Sequence, residues 1–388
     1  MWYFVAPQII FGEDALEALD EVEGERALVV TDRTLVRLGL VEKVVGHLEK
    51  AGLEVRVFDE VEPDPSLQTA RRGAELAQTF GPDWIVAVGG GSPMDAAKAV
   101  WILYERPDLD PAEINPFVEL GLRKKARLIT IPTTSGTGAE VTWAIVLTDT
   151  EEQRKLGLGN RENVADIAIV DPALVKEMPP ELTADTGMDA LTHAVEGYSS
   201  TWHNDMTDGL CLEATQIIVD YLPRAVADGD DAEAREKMHN AATLAGLGFG
   251  NSMASMAHAV GHSLGAVFHV PHGRAVGLLL PYTIEFIAQE APERFAKLAR
   301  ILECHEGESD EEAARALARA IRELAEEIGS PTSLAALEIP REAFEARLED
   351  LVDRAFNDSS LLTAARSPDF AELRTLFTYA YEGKSIDF

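Results

Sequence analysis

The chain has 388 residues, too long for one ordinary hydrophobic core, so two domains is the natural division. Hydrophobic residues make up 46% of it, which excludes a disordered chain. Sixty-seven Asp and Glu against 34 Lys and Arg leave a formal charge of −33, and this excludes a nucleic-acid binder or a protein drawn to anionic membranes, because no basic stripe is present to neutralise phosphates.

The acids are spread along the chain (EVEGE, DGDDAEARE, EGESDEEAAR, EARLEDLVD) and do not form a tail. Self-repulsion of this size is relieved by salt, which screens within about 3 Å at 1 M ionic strength. The composition therefore reads as halophilic, adapted to a salt-rich cytoplasm. Cys211 and Cys304 are far apart and form no CxxC, so no disulfide framework is expected. The opening MWYFVAPQIIFGED lacks a basic n-region, and no run approaches ~18 apolar residues, so a soluble cytoplasmic protein is expected.

In chain order, residues 26–31 (RALVVT) read as a strand and residues 34–52 as a helix ending at Gly52. LEVRVFDEV is the next strand and SLQTARRGAELAQTFG the next helix. DWIVAVGGGSPMDAAKAVWILY then supplies a strand, a glycine turn and a helix. Residues 128–134 and 164–171 add further strands. This β-α-β-α order predicts a doubly wound, Rossmann-like parallel α/β domain over residues 1–178. From Pro179 the strand signal stops. Helical patterns separated by Gly, Pro and acidic clusters then predict an all-α domain over residues 179–388, with the cleft between the domains as the default ligand position.

Ligands of open α/β sheets sit at the carboxyl ends of the strands. Gly89, Gly90, Gly91 and Ser92 lie between a buried strand and a helix N-terminus, where close backbone approach, free N–H groups and the helix dipole suit a phosphate. A second turn, Pro132 to Gly138, also follows a strand and adds the hydroxyls of Thr133, Thr134 and Thr137. Two such turns on one sheet point to a nucleotide. Asp95 is in the first turn of the helix below the glycines, near enough to touch such a ligand, although with Lys98 it also has the spacing of a surface pair. Asp32, just past a strand end, can either bond an adenosine ribose and repel a 2′-phosphate or cap the following helix.

Four of the nine histidines fall between His258 and His272. His258 and His262 share a helix face at i,i+4, as do Asp189 and His193 in GMDALTHAVE. Pro271 and Gly273 put His272 in a turn beyond the helix. One carboxylate and several imidazoles without thiolate suit Fe²⁺, Zn²⁺, Mn²⁺ or Ni²⁺. His269 reads as pocket wall, while His47, His203, His239 and His305 read as packed or surface residues.

The strings VVTDRTLV, GGGSPMDAAK, IPTTSGTGAEVT, GMDALTHAVEGYSS and HAVGHSLGAVFHVPHGRAVGLLLP, in this order, make the chain resemble the iron-containing (group III) alcohol dehydrogenases, which share their architecture with dehydroquinate synthase. The resemblance implies hydride transfer between a primary or secondary alcohol and NAD(H). It implies metal ligation by Asp189, His193, His258 and His272, with Fe²⁺ or Zn²⁺ as the ion. It implies a place for His262 beside nicotinamide and substrate, for Gly89 to Ser92 at the pyrophosphate, and for Thr133, Thr134 and Thr137 along the cofactor. Lys155 resembles a lysine near the nicotinamide ribose, and Asp32 an acid that favours NAD over NADP. A homodimer or larger oligomer is implied as well. Two segments depart from the family pattern, HNDMTDGLCLEA and AARSPDF, and both bear on the substrate pocket or on packing. The alternatives are a dehydroquinate synthase-like lyase and a relative reducing a different oxo-acid.

Overall fold

In the computed structural model, which describes residues 3–152, 154–304 and 309–388, the chain divides into two units, residues 1–177 and 178–388. His305 lies outside the described residues.

The first unit contains β1 (Gln8–Phe11), β2 (Arg26–Val30), β3 (Glu54–Phe58), β4 (Trp84–Gly89), β5 (Arg127–Pro132), the antiparallel hairpin β6 (Ala144–Asp149) and β7 (Arg154–Gly159), and β8 (Ile167–Val170). Six of these strands form a wholly parallel sheet in the order β1-β8-β5-β4-β2-β3. The central strands are continuous apolar runs because they are covered on both faces; every residue of β4 is buried. Four helices, α1 (Arg33–Arg37), α2 (Leu40–Lys50), α3 (Leu67–Phe80) and α4 (Gly91–Glu105), connect them. The helix expected over 34–52 is broken in two, because Gly39 takes the left-handed conformation (φ 72°) between α1 and α2. Strand β1 and the β6–β7 hairpin were not foreseen.

The strand order places the topological switch between β2 and β4. From β2 the chain moves outward to β3, then returns to the other side of β2 for β4. Asp32 and the glycine turn therefore end adjacent strands, paired as Val30 with Ala87. This is where an open α/β sheet has its crevice.

The second unit is helical: α5 (Pro180–Ser199), α6 (Asp205–Ala227), α7 (Ala232–Ser252), α8 (Met256–Phe268), α9 (His272–Ile287), α10 (Glu293–Ile301), α11 (Asp310–Glu327), α12 (Arg341–Phe356) and α13 (Phe370–Glu382). Helix α5 packs against α6, α7 and α9, and it is buried nearly all round from Thr183 to Tyr198. Helix α9 is buried along almost its whole length and holds Pro281 in its interior. A helix covered on every side shows no amphipathic period, which is why the sequence did not mark it. In α11, by contrast, Ala313, Ala314, Leu317, Ala318, Ile321 and Leu324 form one buried stripe. No helix among the described residues is long and apolar enough to cross a membrane.

Candidate active site

The i,i+4 spacing on α5 sets Asp189 and His193 on one face, and the same spacing on α8 does so for His258 and His262. His272 does not sit in a turn; it is the first residue of α9. Gly273 permits this. A Cβ at that position would lie 2.2 Å from the Asp185 carbonyl oxygen on α5, so only glycine lets the start of α9 approach so closely. The result carries His272 Nε2 to 3.4 Å from Asp189 Oδ1. One candidate ligand atom from each of Asp189, His193, His258 and His272 lies within 4.8 Å of the other three.

Asp189, His193 and His258 are buried, while His272 keeps an exposed edge. Asp189 Oδ1 is buried and makes no well-formed hydrogen bond among the described residues, with His272 Nε2 at 3.4 Å and His193 Nδ1 at 3.7 Å. A buried carboxylate oxygen in that condition is costly unless a cation compensates it. Burial acts to raise the Asp189 carboxyl, but the neighbouring His193, His272 and His258 outweigh it and hold its pKa below the ordinary carboxylate range. A carboxylate that stays ionised, three imidazoles and no thiolate fit a divalent cation.

Two carboxylates that the sequence reading did not single out hold the histidines. Glu196, one turn past His193 on α5, accepts from His258 Nδ1 at 2.5 Å, from Ser255 N at 2.9 Å and from Ala257 N. Burial acts to lower the pKa of His258, and the Glu196 carboxylate overrides it, so the net shift is upward. His258 Nε2 is 3.0 Å from His193 Nε2. The His193 ring in turn stacks on Phe249, with centroids 3.9 Å apart and planes 11° from parallel. Asp358 accepts from His262 Nδ1 at 2.9 Å and from Ser360 N at 2.8 Å. Burial raises the Asp358 carboxyl, but its hydrogen bonds and the neighbouring His262 bring the pKa down to about 2. Burial lowers the pKa of His262, more than Asp358 raises it.

The His262 ring lies 5.3 Å from that of His272 and 5.7 Å from that of His258, with 39% of its side chain exposed. His269 is exposed and left-handed (φ 58°) at the C-terminal end of α8. Glu196 had a sequence signal, being seven residues after Asp189 and three after His193, on the same helical face. Asp358, 96 residues from His262, had none.

In the first unit, the two glycine-bearing turns come together. Thr133 N donates to Gly89 O at 3.0 Å. A Cβ on Gly90 would meet Thr134 Oγ1 at 3.2 Å, and one on Gly91 would meet Thr137 Cγ2 at 3.2 Å. Gly89 itself has φ 153° and leaves no room for a Cβ, which would fall 2.4 Å from Pro93. Ser92 stands in the first turn of α4, which has no side-chain cap, so its amide donors remain for a ligand.

Asp32 caps α1, with Oδ1 accepting from Thr34 N at 2.7 Å and Leu35 N at 3.0 Å. Asp95 accepts from Val146 N at 2.9 Å and so ties α4 to the hairpin. Lys98 is not its surface partner. It is fully buried, donates to Ala144 O at 2.9 Å, and is lowered by that burial to about 8. Lys155 is exposed on β7 and pairs with Asp64 at 2.7 Å.

Residues 6–172 match the iron-containing alcohol dehydrogenase family, and residues 183–381 match the C-terminal region of the Fe-containing alcohol dehydrogenase family. The chain belongs to the iron-containing alcohol dehydrogenase family. As such it is an oxidoreductase of alcohols and aldehydes, in a family that works with a divalent metal and NAD(P).

It is 41% identical to an NADPH-dependent butanol dehydrogenase of Clostridium saccharobutylicum, with both chains covered in full. The crystal structure of a 1,3-propanediol oxidoreductase superposes with a TM-score of 0.92 at 35% identity, over 98% of this chain and 100% of the other. An archaeal halo-thermophilic Red Sea brine pool alcohol dehydrogenase superposes with a TM-score of 0.89 at 28% identity, over 98% of each. The chain spans about half the length, 46%, of the aldehyde-alcohol dehydrogenase relatives, such as aldehyde-alcohol dehydrogenase 2 of Entamoeba histolytica. The parallel six-stranded sheet and the helical second unit are the architecture of this family.

Proposed function

We propose that the chain transfers hydride between a small primary or secondary alcohol and NAD(H), with Asp189, His193, His258 and His272 holding one Fe²⁺ or Zn²⁺. The observation that carries this reading is the approach of four ligand atoms to within 4.8 Å of one another around a buried Asp189 oxygen that makes no well-formed hydrogen bond among the described residues. When bound, the ion would supply Lewis acidity to the alcohol or carbonyl oxygen. The nicotinamide would supply the hydride acceptor or donor.

The chain's own residues have the remaining tasks. Asp189 brings negative charge that offsets part of the cation's charge in a buried setting, and Phe249 fixes the plane of His193 by stacking. Asp358 takes the Nδ1 proton of His262 as a hydrogen bond, which directs Nε2 to receive the proton that leaves the alcohol. The partly exposed ring can hand that proton to solvent.

Gly89, Gly90, Gly91 and Ser92 would cradle the pyrophosphate on the uncapped turn of α4. Thr133, Thr134 and Thr137 line the same end of the sheet, with Asp95 holding the β6–β7 hairpin beside it and Lys155 on that hairpin available to a ribose once released from Asp64. We read NAD as preferred over NADP, because Asp32 ends the strand next to the glycine turn and its capping bonds engage Oδ1, which leaves Oδ2 to accept from a ribose hydroxyl and to oppose a 2′-phosphate.

The formal charge of −33 supports a salt-rich cytoplasm as the working environment, and a homodimer or larger assembly is the form we expect. A panel of alcohols and aldehydes, assayed with each cofactor at low and multi-molar KCl after loading with Fe²⁺ or Zn²⁺, tests the reading. Metal-dependent NADH formation from a short alcohol supports it. Full activity in the metal-stripped protein contradicts it.

A further inference from the structure

We infer that Glu196 is a positioning residue that sets the tautomer of His258 and so determines whether its Nε2 can bind a cation; this rests on the metal reading above. The carboxylate lies in the interior and can only accept hydrogen bonds. Three donors surround it: the backbone N–H groups of Ser255 and Ala257 at the start of α8, and His258 Nδ1. An acceptor-only partner at 2.5 Å requires His258 to carry its proton on Nδ1.

The Nε2 lone pair then points away from Glu196, toward the cluster, where it lies 3.0 Å from His193 Nε2. Asp189, His193 and Glu196 occupy positions i, i+4 and i+7 of one helix, so a single face of α5 carries two ligands and the residue that prepares a third on another helix. The two backbone bonds matter as well. They fix the first turn of α8 to α5, so the same carboxylate sets both the position and the protonation of His258. Carboxylate–imidazole–metal arrangements gain affinity in this way.

Glu196→Gln separates this role from simple packing. The amide keeps the size of the side chain but has only one accepting end, so its NH₂ must face either His258 Nδ1 and Ser255 N or Ala257 N. In either orientation His258 loses the anionic acceptor that holds its proton on Nδ1, and with it the bias that leaves Nε2 open to a cation. Zn²⁺ binding to the full chain is measured by competition with a chromophoric chelator, and ring-¹⁵N histidine NMR of the metal-free protein reports the tautomer.

The expected result is one Zn²⁺ per wild-type chain, a His258 protonated on Nδ1, and affinity weakened about 10–100-fold in Glu196→Gln. In a His258→Ala background the same substitution should change affinity by less than about twofold, since the partner through which it acts is gone. Unchanged Zn²⁺ affinity in Glu196→Gln overturns the inference, and so does an equal loss in both backgrounds, which would be a structural effect alone. Wild-type His258 protonated on Nε2 overturns it even where the variant fails to fold. A wild-type chain that binds no Zn²⁺ defeats the metal reading itself.

Discussion

The two units prepare chemistry in different ways. In the α/β unit the residues proposed for the cofactor are mostly backbone: two turns at the ends of adjacent parallel strands, with glycines where a side chain would collide. In the helical unit the proposed ligands are side chains, brought together from α5, α8 and α9 with a carboxylate behind each of two histidines. The first arrangement follows from sheet topology and tolerates change in many side chains. The second depends on three helices bringing four ligand atoms within 4.8 Å of one another, so single substitutions there should matter most.

The largest effect is therefore expected at the ligands. Asp189→Ala should lower kcat/KM by about 10³-fold or more, comparable to removing a full catalytic element, with metal content falling in parallel. An active Asp189→Ala enzyme without metal would break the division between the units. Next comes His262→Ala, which should cost about 10²–10⁴-fold in turnover while leaving metal content intact. Loss of the metal from this variant would make His262 a ligand instead.

In the α/β unit, Gly89→Val places a Cβ against Pro93 and forces a β-branched residue to φ 153°; cofactor affinity should fall, and stability should drop by about 1–3 kcal/mol in thermal melts. Asp32→Asn should have the smallest effect. The amide oxygen keeps the cap on α1, so stability should stay within about 0.5 kcal/mol of wild type. Removing the charge should raise the NADP/NAD ratio of kcat/KM about tenfold, equivalent to about 1.4 kcal/mol. An unchanged ratio would remove Asp32 from cofactor choice and leave it a helix cap.

What was legible in the sequence follows the same contrast. Strands β2, β4, β5 and β8 stood out as short apolar runs, and Asp189, His193, His258 and His262 stood out through i,i+4 spacing on helices. Local patterns carry local structure. Helix α9 was missed because burial on all sides and an internal proline erase its period, and His272 was given to a turn because Pro271 and Gly273 flank it, although they stand at the start of that helix. Gly39 was read through as helix, though its left-handed backbone divides α1 from α2. Lys98 looked like a surface partner for Asp95, yet it is fully buried and donates to Ala144 O at the start of β6. Asp358 reaches His262 across 96 residues, a distance at which no spacing rule operates.

The central claim is that the four converging side chains hold one catalytic divalent ion. The most direct measurement is metal content and alcohol oxidation, in the same preparation, for the wild-type chain and His193→Ala after anaerobic loading with Fe²⁺ or Zn²⁺ and removal of excess ion. The account predicts one ion per wild-type chain, activity proportional to occupancy, and neither bound ion nor activity in the variant. A His193→Ala chain that retains a full equivalent of metal and wild-type turnover would contradict it.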